Sequence, residues 1–219
     1  MTATVRFRGV RGPVKAAARA LSLLIASPAG LICWLEHVLS PDAEGAFSFF
    51  THCFALLPGL PGVYLRRAYF QMTLDKCAAE CHIGFGSLFT HRHAEVEERV
   101  YIGQYAMIGC AVLRAGSLIG SQSSLLSGPA LHDWDAERGW LPTNRDNRQR
   151  IEIGPATWIG ERAVVMADVG AGAMVAAGSV VSSAVPPGIV VAGNPARFVR
   201  RLAEARGESA PLVAPSRGR

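Results

Sequence analysis

Between residues 83 and 198 an aliphatic residue, followed by glycine or another small residue, returns every six positions. Ile102-Gly103 leads to Ile108-Gly109, and Leu113, Ile119-Gly120 and Leu125 form a second run. Ile153-Gly154, Ile159-Gly160 and Val165 form a third, and Val169-Gly170, Val175 and Val181 a fourth. The register slips between runs, with five residues from Ile108 to Leu113 and four from Val165 to Val169. A period of six matches neither the 3.6 of a helix nor the two of a half-buried strand. It suits a chain that points one aliphatic side chain inward on each flat face and then turns, a small neighbour letting the backbone pass close. Three such faces close a triangular coil of about 18 residues, and stacked coils bury the aliphatic rows as one column. The pattern predicts an all-β domain, a parallel β-helix over residues 76–200.

Two regions lie outside this register and one interrupts it. Residues 1–75 read as an apolar, helical N-terminal extension. Within it, Ala20 to Leu35 carries no charge, but it falls short of the roughly 20 residues that span a bilayer, and Pro28-Ala29-Gly30 is expected to break it. Three readings stay open: a signal peptide, a pair of helices packed on the main domain, or an interfacial membrane anchor whose basic flank meets anionic lipid. From Gly128 to Arg150 the register stops at a polar loop, GPALHDWDAERGWLPTNRDNRQR. A loop of that length inside a compact repeat is usually functional. Residues 201–219 read as a short helix and a disordered tail.

Composition narrows the partners. Half of the 219 residues are hydrophobic and the net charge of +5 gathers at the ends, with Arg6, Arg8, Arg11, Lys15 and Arg19 at one and Arg197, Arg200, Arg201, Arg206, Arg217 and Arg219 at the other. Basic ends suit phosphate-bearing ligands or an anionic membrane. Without a helix-turn-helix pattern or an aromatic platform among the basic residues, nucleic acid is not expected. Five scattered cysteines read as reduced thiols of a cytoplasmic protein. Cys77, Cys81, His82, His91 and His93 cluster in sequence, but CxxxC is not the usual zinc spacing, so no metal is expected.

The stretch from Ile153 to Arg200 closely resembles the C-terminal coils of the hexapeptide-repeat acyltransferases, in particular the maltose, galactoside and xenobiotic O-acetyltransferases. The matching pieces are Trp158-Ile159-Gly160, Gly178-Ser179-Val180-Val181, Pro186-Pro187 and Ala192-Gly193-Asn194-Pro195-Ala196-Arg197, in the family's order. The segment LLPGLPGVYLRRAYFQMTLDKC ahead of the repeat is similar to that of a subgroup found in surface-polysaccharide biosynthesis. The resemblance covers about residues 83–200. It implies a left-handed β-helix, a homotrimer, and acetyl-CoA as co-substrate in the groove between neighbouring copies. His132, at the start of the extended loop, matches the family's general base, which Asp133 or Asp135 could orient. Trp158, Gly160 and Ala177 match positions along the pantetheine, Ser182 lies near the turn, and Arg197 and Arg200 point toward the phosphates. Relatives usually carry Thr-Lys where this chain has Ser182-Ser183, which either weakens the phosphate contact or leaves it to Arg201.

Those residues suit acyl transfer. A thioester is already activated, so the enzyme has to deprotonate a hydroxyl or ammonium and hold it near the carbonyl, a task within the titration range of an imidazole. The expected function is transfer of acetyl to a hydroxyl of a sugar or related small acceptor, in the cytoplasm or at the inner face of the membrane. The alternative is a non-catalytic β-helix serving as a membrane-associated scaffold. A γ-carbonic anhydrase would need further histidines beside His132, and a fused nucleotidyltransferase would need a large N-terminal domain.

Overall fold

A computed structural model describes residues 11–128, 132–141 and 148–202. Three helices come first, α1 (Arg11–Leu39), α2 (Gly45–Ala55) and α3 (Gly59–Thr73), and short strands follow from Lys76 onward. The strands stack as a solenoid of about six turns. One side is a four-stranded sheet of Lys76–Cys77, Glu95–Val96, Ala111–Leu113 and Ile151–Ile153, continued by single parallel bridges to Val169 and Val185. A five-stranded sheet holds Leu88–Phe89, Met107–Ile108, Ser124–Leu125, Val164–Val165 and Val180–Val181. A seven-stranded sheet holds His82–Ile83, Tyr101–Ile102, Leu118–Ile119, Trp158–Ile159, Met174–Val175, Ile189–Ala192 and Arg197–Arg201, the last pairing antiparallel with its neighbour.

The six-residue period is this prism read along the chain. Ile83, Ile102, Ile119, Ile159, Val175 and Val191 stack in register on the seven-stranded side. Phe89, Ile108, Leu125, Val165 and Val181 do so on the five-stranded side, and Val96, Leu113, Ile153, Val169 and Val185 on the third. All are buried, and each contributes roughly 1.5–3 kcal/mol of burial. Two corners of the prism keep the step of six. All the slips fall at the third corner, between the five- and four-stranded sheets: seven residues from Phe89 to Val96, five from Ile108 to Leu113, and four both from Val165 to Val169 and from Val181 to Val185. The 128–150 loop is inserted at that same corner.

The glycine after each aliphatic residue is a stacking requirement. A Cβ on Gly84 would lie 2.3 Å from the Gly103 carbonyl oxygen, and one on Gly160 would lie 2.4 Å from the Ala177 nitrogen. Coils about 4.8 Å apart leave no room for a methyl there.

The helices close the open end of the solenoid. Arg66 of α3 is fully buried and donates to the carbonyls of Phe54, Ala55 and Leu57 at the end of α2, through one nitrogen at 3.4, 3.3 and 2.6 Å. Its Nε donates to the Ile83 carbonyl of the first coil at 3.1 Å, so one guanidinium ties helix end to β-helix. Phe70 packs edge-on against Phe89 at 4.8 Å and carries the aliphatic column into the helical cap. Glu36 of α1 accepts from the N–H groups of Ala46 and Phe47, supplying carboxylate oxygens to the N-terminus of α2.

The structure corrects the expected break in α1, which runs through Pro28 for 29 residues. Proline removes the N–H that would have bonded the Leu24 carbonyl. The Ser27 hydroxyl donates to that carbonyl at 2.8 Å and satisfies it. The segment Pro13–Leu39 is therefore long and apolar enough to cross a bilayer by length and composition. Its packing is inverted: the small residues Ala26, Ala29, Gly30 and Cys33 face α3, whereas Leu24, Leu31, Trp34 and Leu39 are exposed. The short helix and tail expected over 201–219 begin differently, since Arg201 ends the strand Arg197–Arg201, and residues 203–219 lie outside the described residues.

Candidate active site

His132 stands on a β-hairpin built inside the inserted loop. Trp134–Asp135 pairs antiparallel with Gly139–Trp140, Trp134 opposite Trp140. Asp135 Oδ1 accepts from the N–H groups of Glu137 and Arg138 at 2.9 and 2.8 Å, which fixes the turn. Gly139 has φ +76°, a conformation that favours glycine. The ladder extends through Leu141 N–H to the Asp133 carbonyl at 2.9 Å. His132 Nδ1 lies 3.0 Å from the Leu141 carbonyl oxygen. A carbonyl only accepts, so Nδ1 is the donor, and in the neutral ring Nε2 holds the lone pair. Of the two acids considered as orienting groups, Asp135 is engaged in the turn; a backbone carbonyl holds the ring nitrogen.

The residues expected along coenzyme A lie elsewhere on the prism. Trp158, Met174, Val190 and Arg200 form one row across the seven-stranded sheet, each opposite the next. In the other direction the row continues through Leu118 and Tyr101 to His82. His82 stacks on Tyr101 at 4.7 Å, and burial together with the charges of Arg66 and Arg67 lowers its pKa. Tyr101, Leu118 and Trp158 are exposed, so this side presents an apolar stripe. The four-stranded side instead carries ion pairs, Arg114 with Glu97 and Glu152, and Arg150 with Glu95. Gly160 and Ala177 stack on adjacent coils beside Trp158. Ser182 and Arg197 line a cleft of about 350 Å³ at the end of the solenoid, with Ser183, Phe198 and Arg201. The arginine considered as a substitute for the missing lysine thus shares a cleft with the two serines.

The structure brings Trp158 and Arg200 together in one row, and Ser182 and Arg197 in one cleft. His132 is carried on the inserted loop, apart in the chain from that row and that cleft. The loop leaves the corner that faces away from the seven-stranded sheet.

No protein-family model matches the sequence. Among solved structures, the chain is similar to a maltose O-acetyltransferase from Clostridium difficile 630, at 17% identity and a TM-score of 0.57 over 73% of this chain and 86% of that one. It is also similar to a galactoside acetyltransferase in complex with coenzyme A, at 18% identity and a TM-score of 0.53 over 71% and 79%. The fold is the hexapeptide-repeat β-helix. At these identities the likeness is one of fold.

One cluster in this hexapeptide-repeat β-helix had no signal in the sequence. Glu44, from the turn between α1 and α2, accepts from His91 Nδ1 at 2.7 Å and from the Arg92 N–H at 3.1 Å, and Arg148 approaches at 3.8 Å. Burial opposes ionisation of Glu44, but the hydrogen bonds of His91 and Arg92 and the charges of His91 and Arg148 outweigh it and lower its pKa to about 2. Arg148 lines two adjoining cavities of about 320 and 230 Å³, the second beneath the root of the loop with His91, Leu126 and Ser127. Glu44 and His91 are 47 positions apart, so only the fold joins them. Among the described residues no three His, Cys, Asp or Glu side chains converge as metal ligands. Cys77 and Cys81 face each other at 3.8 Å between sulfurs, and His93 pairs with Asp75.

Proposed function

We propose that the protein is a coenzyme A-dependent acyltransferase that moves acetyl from acetyl-CoA to a hydroxyl of a sugar or related small acceptor, with His132 as general base. The observation that carries this is the contact of Nδ1 with the Leu141 carbonyl on a braced hairpin, which in a neutral imidazole makes Nε2 the proton acceptor. The acceptor hydroxyl gives its proton to Nε2 as its oxygen attacks the thioester carbonyl. The tetrahedral oxyanion then collapses, the carbon–sulfur bond breaks, and the imidazolium returns the proton to the leaving thiolate. The arginines Arg197, Arg200 and Arg201, near the end of the solenoid, suit the phosphates of coenzyme A. Trp158, flanked by Gly160 and Ala177, offers an apolar wall to its pantetheine.

The working form is a homotrimer. The loop that carries His132 is inserted at the corner opposite the sheet that bears Trp158, and a second copy supplies the other half of each site. Its apolar stripe at Tyr101, Leu118 and Trp158 suits such a contact. The protein works in the cytoplasm at the inner face of the membrane. Support for this is the inverted packing of α1, small residues inward and large apolar ones outward, as in helices surrounded by lipid. Lys15, exposed near the start of that helix, suits anionic headgroups, while Arg19 is paired with Glu80 of the first coil.

The test uses detergent-extracted full-length protein. Coenzyme A affinity and particle size are measured together, and thiol release from acetyl-CoA is followed with sugar acceptors. His132→Ala should cut kcat by at least about 100-fold with coenzyme A affinity and size unchanged; an unaltered kcat removes His132 from the mechanism. A well-folded trimer that does not bind coenzyme A favours the scaffold reading. Vesicles with anionic lipid should carry the wild type on flotation and lose a Leu24→Glu, Leu31→Glu variant.

A further inference from the structure

The hairpin that carries His132 also displays two tryptophans that stay exposed among the described residues. Trp134 and Trp140 are 63% and 72% exposed, although both belong to a regular ladder. Their rings meet edge to face, centroids 5.3 Å apart and planes at 73°, so together they make a right-angled apolar corner. The corner is preformed. The Asp135 carboxylate holds the turn, and Gly139 lies under the Trp134 ring, where an added Cβ would be in ordinary contact at 3.8 Å. His132 is bonded to Leu141, the residue after Trp140.

The size of the corner limits what it can hold. With about 150–250 Å² per aromatic side chain, the exposed parts amount to roughly 300 Å². A stable protein interface needs about 800 Å² from each partner, so the two rings match one small ring. An indole face is electron-rich and attracts the polarised C–H groups on the face of a pyranose. The surrounding residues, Asp133, Asp135, Glu137 and Arg138, are the hydrogen-bonding kind that hydroxyls at a pyranose rim require.

We infer that Trp134 and Trp140 are the acceptor platform, stacking a pyranose ring so that one of its hydroxyls faces His132. This rests on the acyltransferase reading and specifies its acceptor class as a glycoside.

The full-length protein carries four tryptophans, Trp34, Trp134, Trp140 and Trp158. Labelled with 5-fluorotryptophan, they give fluorine resonances that Trp→Phe variants assign. Titration with methyl glycosides of glucose, galactose and N-acetylglucosamine should move the Trp134 and Trp140 resonances saturably and leave Trp34 in place. Trp134→Ala and Trp140→Ala should each weaken glycoside binding roughly tenfold and leave coenzyme A affinity unchanged, whereas Trp140→Tyr should keep most of it. If no glycoside moves either resonance while coenzyme A still binds, the platform is refuted and the acyltransferase reading stands. If either alanine variant dissolves the trimer, the rings are subunit contacts and the inference is overturned.

Discussion

Replacing Gly160 with alanine tests whether coil stacking dictates the glycines of the repeat. The new Cβ would sit 2.4 Å from the Ala177 nitrogen and 2.8 Å from the Ala176 carbonyl carbon, both backbone atoms. Ordinary contact begins near 3.4 Å, so the two coils have to part by about 1 Å. Neither is free to move: Gly160 N–H donates to Val175 at 2.8 Å, and the Gly160 carbonyl accepts from the Ser123 hydroxyl at 2.9 Å. Overpacking of this kind costs about 1–3 kcal/mol, offset by about 0.4–1 kcal/mol from the stiffer unfolded chain. The expected net loss is about 1–2 kcal/mol. Gly172→Ala is the control, because its Cβ meets nothing within 4 Å and only its φ of +63° opposes alanine. Urea unfolding of the full chain, at one protomer concentration because assembly shifts the midpoint, measures both. If Gly160→Ala is no more destabilising than Gly172→Ala, coil contact does not explain the glycine.

Arg66→Met keeps the apolar stem but removes the guanidinium from four backbone carbonyls, of which Phe54 and Ala55 keep backbone donors from Leu57 and Gly86, and should lower stability by about 3 kcal/mol in the same assay; a loss below about 1 kcal/mol refutes the capping role. Ala156 sits at φ +54° on a corner of the solenoid, so Ala156→Gly relieves about 1–2 kcal/mol of left-handed strain against about 0.4–1 kcal/mol from the freer unfolded chain and should raise the unfolding midpoint slightly; a lowered midpoint counts against it. Glu44 has a folded pKa below its ordinary value, about 2 against 4.5. Its contribution is therefore complete above pH 4.5 and is lost as pH falls from 4.5 toward 2. Glu44→Gln should be less stable at pH 7 and lose less on acidification, and parallel pH–stability curves for the two proteins refute this.

The site was legible in unequal parts. His132 and Trp158 are legible through the resemblance to the hexapeptide-repeat acyltransferases, the one at the start of the extended loop and the other in the Trp158-Ile159-Gly160 motif. The hairpin that braces His132 is not legible: the loop reads as polar and charged with two tryptophans, and nothing local pairs Trp134 with Trp140. Its turn depends on one Asp135 oxygen reaching two successive N–H groups. The Glu44–His91 pair was invisible for a different reason: the histidine was counted with nearby cysteines, and its partner comes from another element.

By itself the sequence determined the parallel β-helix, because a six-residue step of aliphatic side chains is a local rule that every coil obeys. It also located the interruption and the apolar N-terminal segment. The tertiary structure decided which corner absorbs every slip, how one buried arginine joins helices to coils, and that α1 continues through Pro28 with its small residues inward. It also built the hairpin that holds His132. These are consequences of packing between segments far apart in the chain, where what matters is which surfaces meet, and no local period encodes that.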